Sequence, residues 1–165
     1  IVAEIVKRFQ KEDAVIIYVP DHGEECYEEN RGFICRNHSA NIDWKLAHYE
    51  FEIPFWIYCS KKYIQKHRAI YRQIRAAKDK RMMTDALPHL LLYLAGIETP
   101  TYKEENNILS PKYNEMRPRI LKNSADYDKL RDEYLKTQAK QEEKKQDKKK
   151  DKKQGKKQTK KGVRK

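Results

Sequence analysis

The stretch Ala14-Val-Ile-Ile-Tyr-Val-Pro-Asp-His-Gly23 is the part of the sequence that predicts the fold. Its first six residues form a continuous apolar and mostly β-branched run, which is typical of a strand buried on both faces. Pro20 ends that strand because it has no N–H to donate to a neighbouring strand. Residues 1–11 carry Ile, Val and Phe at helical spacing. A helix followed by a buried strand predicts an α/β layered fold.

Asp21 and His22 follow this strand directly. In an open α/β sheet, ligand chemistry collects just beyond the carboxyl ends of the strands. We expect Gly23 to give the backbone the freedom that lets both side chains converge on one point. A carboxylate oxygen and an imidazole nitrogen together make half of a typical zinc site. The alternative is a simple turn capped by the Asp side chain, since no other residue completes a ligand set at a recognisable spacing.

Residues 20–50 have no clean period and predict a long loop, which in a compact domain is usually functional. The loop holds three of the five histidines, His22, His38 and His48. It also holds Cys26 and Cys35, which could form a disulfide in an oxidising compartment or remain as two buried thiols.

Four regular elements are predicted after residue 50, and an irregular stretch at 98–121 separates the last of them from the other three. In chain order they are a strand at 51–58, helices at 61–78 and 85–95, and a weak helix at 127–135. Thr84 and Gly96 suit the two caps of the third of these elements. His67 lies on the apolar stripe of the preceding helix, which predicts a packed core residue.

The net charge of +12 at first suggests a nucleic-acid binder, but the charge is concentrated at one end. Residues 1–135 contain 22 basic and 21 acidic residues, whereas residues 136–165 contain 15 and four. We therefore predict one domain at 1–135 and a Lys-rich tail at 136–165. Ala139 and Val163 are the only apolar side chains in that tail, so it is predicted to be disordered. It could bind anionic lipid or nucleic acid without specificity, or have no partner.

Membrane and targeting signals are not visible in this sequence. The longest apolar runs, Ala14–Val19 and Leu90–Ile97, are far shorter than the ~20 residues that a bilayer needs. No signal peptide is recognisable. Since the sequence begins with Ile1, we expect a piece of a longer protein or a mature product.

The segment Val15-Ile-Ile-Tyr-Val-Pro-Asp-His-Gly-Glu24 resembles the signature of the alkaline phosphatase/sulfatase superfamily. Within it, the chain most resembles the C-terminal part of the phosphoethanolamine transferases that modify lipid A. The stretches 51–57, 84–97 and 108–119 resemble further segments of that family, in the same order, so the resemblance covers about residues 1–128. It implies the C-terminal portion of an alkaline-phosphatase-like sandwich, with a mixed sheet and flanking helices.

The resemblance also implies roles for individual residues. Asp21 and His22 would be two ligands of a catalytic Zn²⁺, and His38 would contact the phosphate group of the substrate. His48 is an alternative for that last role, since the loop to His38 is long; otherwise it packs at the start of the second strand. The family's threonine nucleophile and remaining acidic zinc ligand lie upstream of this motif, outside this sequence. The chain alone is therefore expected to be inactive.

The implied function is metal-dependent transfer of phosphoethanolamine from a phospholipid donor to a lipid A-type acceptor. The implied partners are the missing N-terminal part of the same protein and the membrane, with no specific nucleic acid. The implied location is the inner membrane, with the catalytic domain in the periplasm. A sulfatase-like or phosphodiester hydrolase that uses water as acceptor is the alternative within the superfamily. Binding of an anionic surface or nucleic acid through the tail is the alternative from another class.

Overall fold

The computed structural model describes residues 1–28, 34–35, 42–122 and 124–162, and it has a mixed α/β fold as predicted. The helices are α1 Val2–Phe9, α2 Trp44–Phe51, α3 Lys61–Lys66, α4 Arg68–Ala76, α5 Leu87–Ala95 and α6 Tyr127–Gly162. The strands are β1 Val15–Tyr18, β2 Glu25–Cys26, β3 Ile34–Cys35, β4 Trp56–Cys59, β5 Ile120–Leu121 and β6 Ala125–Asp126. None of the helices in these ranges is long and apolar enough to cross a bilayer.

The strand predicted at the start of the chain forms β1 and ends before Pro20, as expected. It pairs antiparallel with β4, from Val15 opposite Cys59 to Tyr18 opposite Trp56. The prediction that β1 is buried on both faces is wrong, because three of its residues are half-buried and Tyr18 is exposed. A sheet of only two strands leaves much of each strand accessible to solvent. Among the described residues, the strands form three antiparallel pairs rather than the mixed sheet that was predicted.

The main core lies between α4, α5 and the irregular segment that follows α5. Its buried members are Ala77, Leu90, Ile108 and Leu109. Ile17 of β1 and Ile57 of β4 pack against them from the sheet. The sheet is therefore attached to the helices through one face.

Ser60 joins the start of α3 to the entry of β1. Its side chain is fully buried, accepts a hydrogen bond from Tyr63 N at 3.1 Å and donates one to Glu12 O at 2.6 Å. Ala14 N donates to the same hydroxyl at 3.3 Å. One hydroxyl thus caps a helix and fixes the residue before the strand.

A second core joins α2 to α6. Its buried residues are Ala47, Leu121 and Tyr127, and the Trp44 ring lies 5.0 Å from the Tyr127 ring and 6.3 Å from the Tyr134 ring. The sequence predicted a loop in place of α2. Apolar residues at 44, 47 and 51 do recur at helical spacing, but a single short helix after a long polar stretch gives only a weak signal.

Two other predicted elements differ from the structure in their extent. The strand expected at 51–58 is shortened to β4, because α2 continues to Phe51 and Pro54 follows it. The helix expected at 61–78 is interrupted at His67, which separates α3 from α4. The imidazole of His67 is 40% exposed and lies 3.4 Å from Asp13 Oδ1, so it is not a packed core residue as predicted.

The caps of α5 agree with the prediction at one end only. Gly96 ends the helix in the left-handed region, with φ of 65°. Thr84 instead begins a 3₁₀ turn, Thr84–Ala86, and Ala86 is the N-cap residue of α5, without a side-chain capping hydrogen bond. Cys26, predicted to be in a disulfide or buried, is an exposed free thiol.

Helix α6 continues to Gly162, through most of the tail at 136–165 that the sequence predicted to be disordered. Lys, Glu and Gln are good helix formers, and a helix that begins on a packed segment needs no new nucleus to continue. The side chains described between 135 and 145 include no buried one.

Asp128 anchors the start of α6 through three arginines. Its carboxylate accepts hydrogen bonds from Arg119 Nη2 at 2.7 Å and Nε at 3.1 Å, and it pairs with Arg81 and with Arg131 Nη1 at 3.4 Å. The hydrogen bonds from Arg119 lower the pKa of Asp128 below its ordinary value, with smaller contributions from the other two arginines.

We expect Asp128→Asn to lower the free energy of unfolding by about 1–3 kcal/mol, since it removes the carboxylate that pairs with Arg81 and Arg119 and one of the two that lie beside Arg131. Because the pKa of Asp128 is lowered in the folded state, its stabilisation is present above the ordinary Asp value of about 4 and is lost as pH falls through the folded pKa. Urea unfolding between pH 7 and pH 3 measures both effects.

The control is Asp132→Asn, which removes an exposed pair with Arg131 at 3.0 Å and should change stability by less than about 1 kcal/mol. Equal effects of the two substitutions at neutral pH would show that Asp128 has no special anchoring role.

Candidate functional site

The turn at Asp21–Gly23 lies directly after β1, where the sequence placed it. His22 Nε2 and Asp21 Oδ2 are 3.6 Å apart, so the two side chains do converge. The Asp21 side chain is 88% exposed and that of His22 is 34% exposed. The pair therefore faces open space at the end of the strand.

A hydrogen bond within the turn decides which ring nitrogen of His22 carries a proton. His22 Nδ1 lies 2.8 Å from Gly23 O, and His22 N donates to Asp21 Oδ1 at 3.1 Å. A carbonyl oxygen can only accept, so Nδ1 carries the proton. In the neutral ring, Nε2 then has a free lone pair, and Nε2 is the nitrogen near Asp21. This is how a metal-binding histidine is usually held.

Gly23 holds the turn against the end of α2. Its N–H donates to Glu50 O at 2.9 Å. A Cβ at this position would lie 2.2 Å from Tyr49 O, which no real contact allows. Glycine is therefore required for this close approach of two backbones, rather than for the conformational freedom that the sequence suggested.

The end of α2 is in turn held by charged and aromatic neighbours. The Glu50 side chain is fully buried, with Lys122 Nζ 3.7 Å from its Oε2. Glu52 accepts a hydrogen bond from the hydroxyl of Tyr127, at the start of α6. Burial and this hydrogen bond raise the pKa of Tyr127. The turn, α2 and α6 thus form one connected support.

His48 belongs to this support. It lies on α2 rather than at the start of a strand, which corrects the structural role expected from the sequence. Its Nδ1 is 2.9 Å from Glu52 Oε2, and its ring stacks on Trp44 with centroids 5.8 Å apart. His38, the other candidate for contact with a phosphate group, lies outside the described residues.

A cavity of about 410 Å³ opens at the same end of β1. Val19 forms part of its wall, and its polar groups include Glu52, Arg119 and Tyr127. Arg119 lies over the Tyr127 ring, 4.5 Å from its centroid. The sequence did not predict this cavity, because its walls come from segments as far apart as Val19 and Tyr127.

The distance between His22 Nε2 and Asp21 Oδ2 suits two of the four ligand atoms of a tetrahedral zinc ion. Zinc bonds of about 2.0–2.2 Å in a tetrahedral site place two ligand atoms about 3.4 Å apart, close to the 3.6 Å found between His22 and Asp21. Within the described parts of the chain, no group of three His, Cys, Asp or Glu side chains could hold a metal.

Comparison with known proteins supports the fold that the resemblance implied. The fold is similar to that of the C-terminal part of the phosphoethanolamine transferases, as predicted from the sequence. The particular neighbours are two crystal structures of the C-terminal periplasmic domain of EcEptC from Escherichia coli, one of them in complex with Zn. Each is 26% identical to the chain with a TM-score of 0.59, over 77% of this chain.

The chain spans only about a third of those solved domains, since it covers 36% of their length. No protein-family model matches it, and no curated protein matches it either.

We expect Gly23→Ala to lower the free energy of unfolding by about 1–3 kcal/mol, because the new methyl group overlaps a backbone carbonyl of α2. Urea unfolding followed by circular dichroism measures the change. The matched control is Gly155→Ala in α6, where the same change should be neutral or slightly stabilising. If Gly23→Ala unfolds at the same urea concentration as the original chain, the turn does not rest on α2.

Proposed function

We propose that the chain is the C-terminal part of a metal-dependent phosphoethanolamine transferase, in which Asp21 and His22 are two of the zinc ligands. The observation that carries the proposal is the convergence of His22 Nε2 and Asp21 Oδ2 at 3.6 Å on a braced turn. The similarity in fold to the EcEptC domain, solved also in complex with Zn, supports it.

The residues of this chain prepare the ligand pair in three ways. The contact from Nδ1 to Gly23 O leaves Nε2 available as the donor atom. Asp21 supplies a negative charge beside it, and the bond from Gly23 N to α2 holds the turn in place. When bound, zinc supplies positive charge that polarises a phosphodiester and lowers the pKa of a hydroxyl nucleophile.

His38 is proposed as the group that acts on the phosphoryl oxygens. An imidazole can donate a hydrogen bond to the charge that develops there, or protonate the leaving oxygen. The assignment rests on the position of His38 downstream of Asp-His-Gly, as the family resemblance implies. His48 is the competing residue, although its ring already contacts Glu52 and Trp44.

The proposed substrates are a phospholipid donor and a lipid A-type acceptor, with the catalytic domain in the periplasm and the protein in the inner membrane. The EcEptC neighbours are periplasmic domains, which supports this location. The nucleophile and the other ligands would come from the part of the protein outside this chain. A sulfatase-like or phosphodiester hydrolase would use the same zinc ligands but transfer the group to water.

We expect His22→Ala and Asp21→Ala, made in the full-length protein, each to weaken zinc binding by at least about 100-fold, since each removes one bond of the coordination shell. Zinc content after dialysis against a weak chelator measures the loss. Transfer of labelled phosphoethanolamine from phospholipid to lipid A, measured in parallel, should fall with it.

The matched control is His67→Ala, which removes a histidine paired with Asp13 and should keep both zinc and transfer. Normal zinc content and transfer in His22→Ala would rule out the ligand assignment. Release of free phosphoethanolamine by the unchanged protein, with no labelled lipid A, would favour the hydrolase instead.

We expect His38→Ala to lower kcat for transfer by about 10²-fold or more, because it removes a proton donor from the reacting group but no zinc ligand. Turnover and zinc content of the full-length variant are measured together. If His48→Ala causes this loss and His38→Ala does not, the role belongs to His48. A loss of zinc in His38→Ala would make it a ligand rather than a catalytic residue.

A further inference from the structure

The part of α6 from residue 136 to residue 162, which we name the cationic arm, is the most strongly charged feature of the chain. Helix α6 has 36 residues, so at 1.5 Å per residue it is about 54 Å long. Every side chain described between 139 and 145 is exposed. Nothing in the proposed chemistry at Asp21 and His22 uses this arm.

The sequence of the arm has a four-residue repeat. From residue 144 onward, five consecutive units each begin with Lys-Lys: Lys144-Lys-Gln-Asp, Lys148-Lys-Lys-Asp, Lys152-Lys-Gln-Gly, Lys156-Lys-Gln-Thr and Lys160-Lys-Gly-Val. No acidic residue follows Asp151. A period of four advances about 40° per unit around an α-helix, so the Lys-Lys positions wind around the axis instead of lining one face.

The arm is continuous with the support of the candidate site, because both include helix α6. Helix α6 begins at Tyr127, whose ring packs on Trp44 of α2, and Asp128 is held by three arginines. The end of α2 holds the backbone of Gly23. A surface bound to the arm is therefore attached to the same helices that position Asp21 and His22.

The composition of the arm indicates a lipid surface rather than nucleic acid. Single-stranded nucleic acids are usually bound by basic and aromatic residues together, and no aromatic residue follows Tyr134. The similar solved domains are periplasmic, and the proposed substrates are lipids. The arm also has too few apolar residues to insert into a bilayer, so binding would be electrostatic and sensitive to salt.

We propose that the cationic arm binds the domain to an anionic lipid bilayer surface. The choice of lipid rests on the proposed function, but the binding itself needs neither zinc nor the residues of the turn. The arm would raise the concentration of the catalytic domain at the surface that contains its substrates.

The test is co-sedimentation of the full chain with vesicles of 30% phosphatidylglycerol and 70% phosphatidylethanolamine at low salt. The arm variant carries five Lys→Gln substitutions, at 152, 153, 156, 157 and 160. We expect it to bind at least about 100-fold more weakly, since each lysine near an anionic surface contributes severalfold to the partition coefficient. Gln preserves helix propensity, and circular dichroism checks that the helix is retained.

The matched control removes the same charge from the body of the chain, with Lys→Gln at the exposed positions 7, 11, 61, 62 and 78. It should weaken binding less than about threefold, and 0.5 M salt should abolish binding of the unchanged chain. Equal losses in the two variants would contradict a role for the arm. No vesicle binding, or tighter binding to single-stranded DNA than to the vesicles, would overturn the lipid assignment.

Vesicle binding by the arm and zinc binding at the turn can be tested separately. His22→Ala should bind the vesicles as tightly as the unchanged chain, whatever it does to zinc. Loss of vesicle binding in His22→Ala would contradict an independent arm.

Discussion

The contact between the backbone of Gly23 and the end of α2 is the constraint on which the candidate site depends. Strand β1 ends at Tyr18 and leads into the exposed turn at Asp21–Gly23, which a two-stranded sheet alone would hold poorly. The hydrogen bond from Gly23 N to Glu50 O, at 2.9 Å, ties this turn to a helix. Because Tyr49 O occupies the place of a Cβ, only glycine permits the approach.

This constraint connects the two cores of the chain. Helix α2 is packed against α6 by Trp44 and Tyr127, and Glu52 receives the hydroxyl of Tyr127. On the other side of the turn, β1 reaches the main core through Ile17. The Asp-His pair thus lies where the sheet and the α2–α6 support meet. The same support carries the cationic arm, so binding at the surface and chemistry at the turn would share one framework.

The sequence predicted the parts of this arrangement that depend on local patterns. The apolar run of β1, the stop at Pro20 and the positive-φ cap at Gly96 each follow from the residues themselves. The convergence of Asp21 and His22 also followed from their position after a strand. Helix α2, the interruption at His67 and the role of Gly23 could not be predicted in the same way, because each depends on a partner distant in the chain. The 410 Å³ cavity is missed for the same reason.

Zinc is proposed to bind at the Asp21–His22 pair, with the turn already in place. A crystal structure of the full-length protein, with anomalous scattering recorded at the zinc edge, tests it most directly. We expect a zinc peak bonded to His22 Nε2 and an Asp21 carboxylate oxygen, with Nδ1 still in contact with Gly23 O. A zinc peak on other residues, or one bonded through Nδ1 of His22, would contradict it.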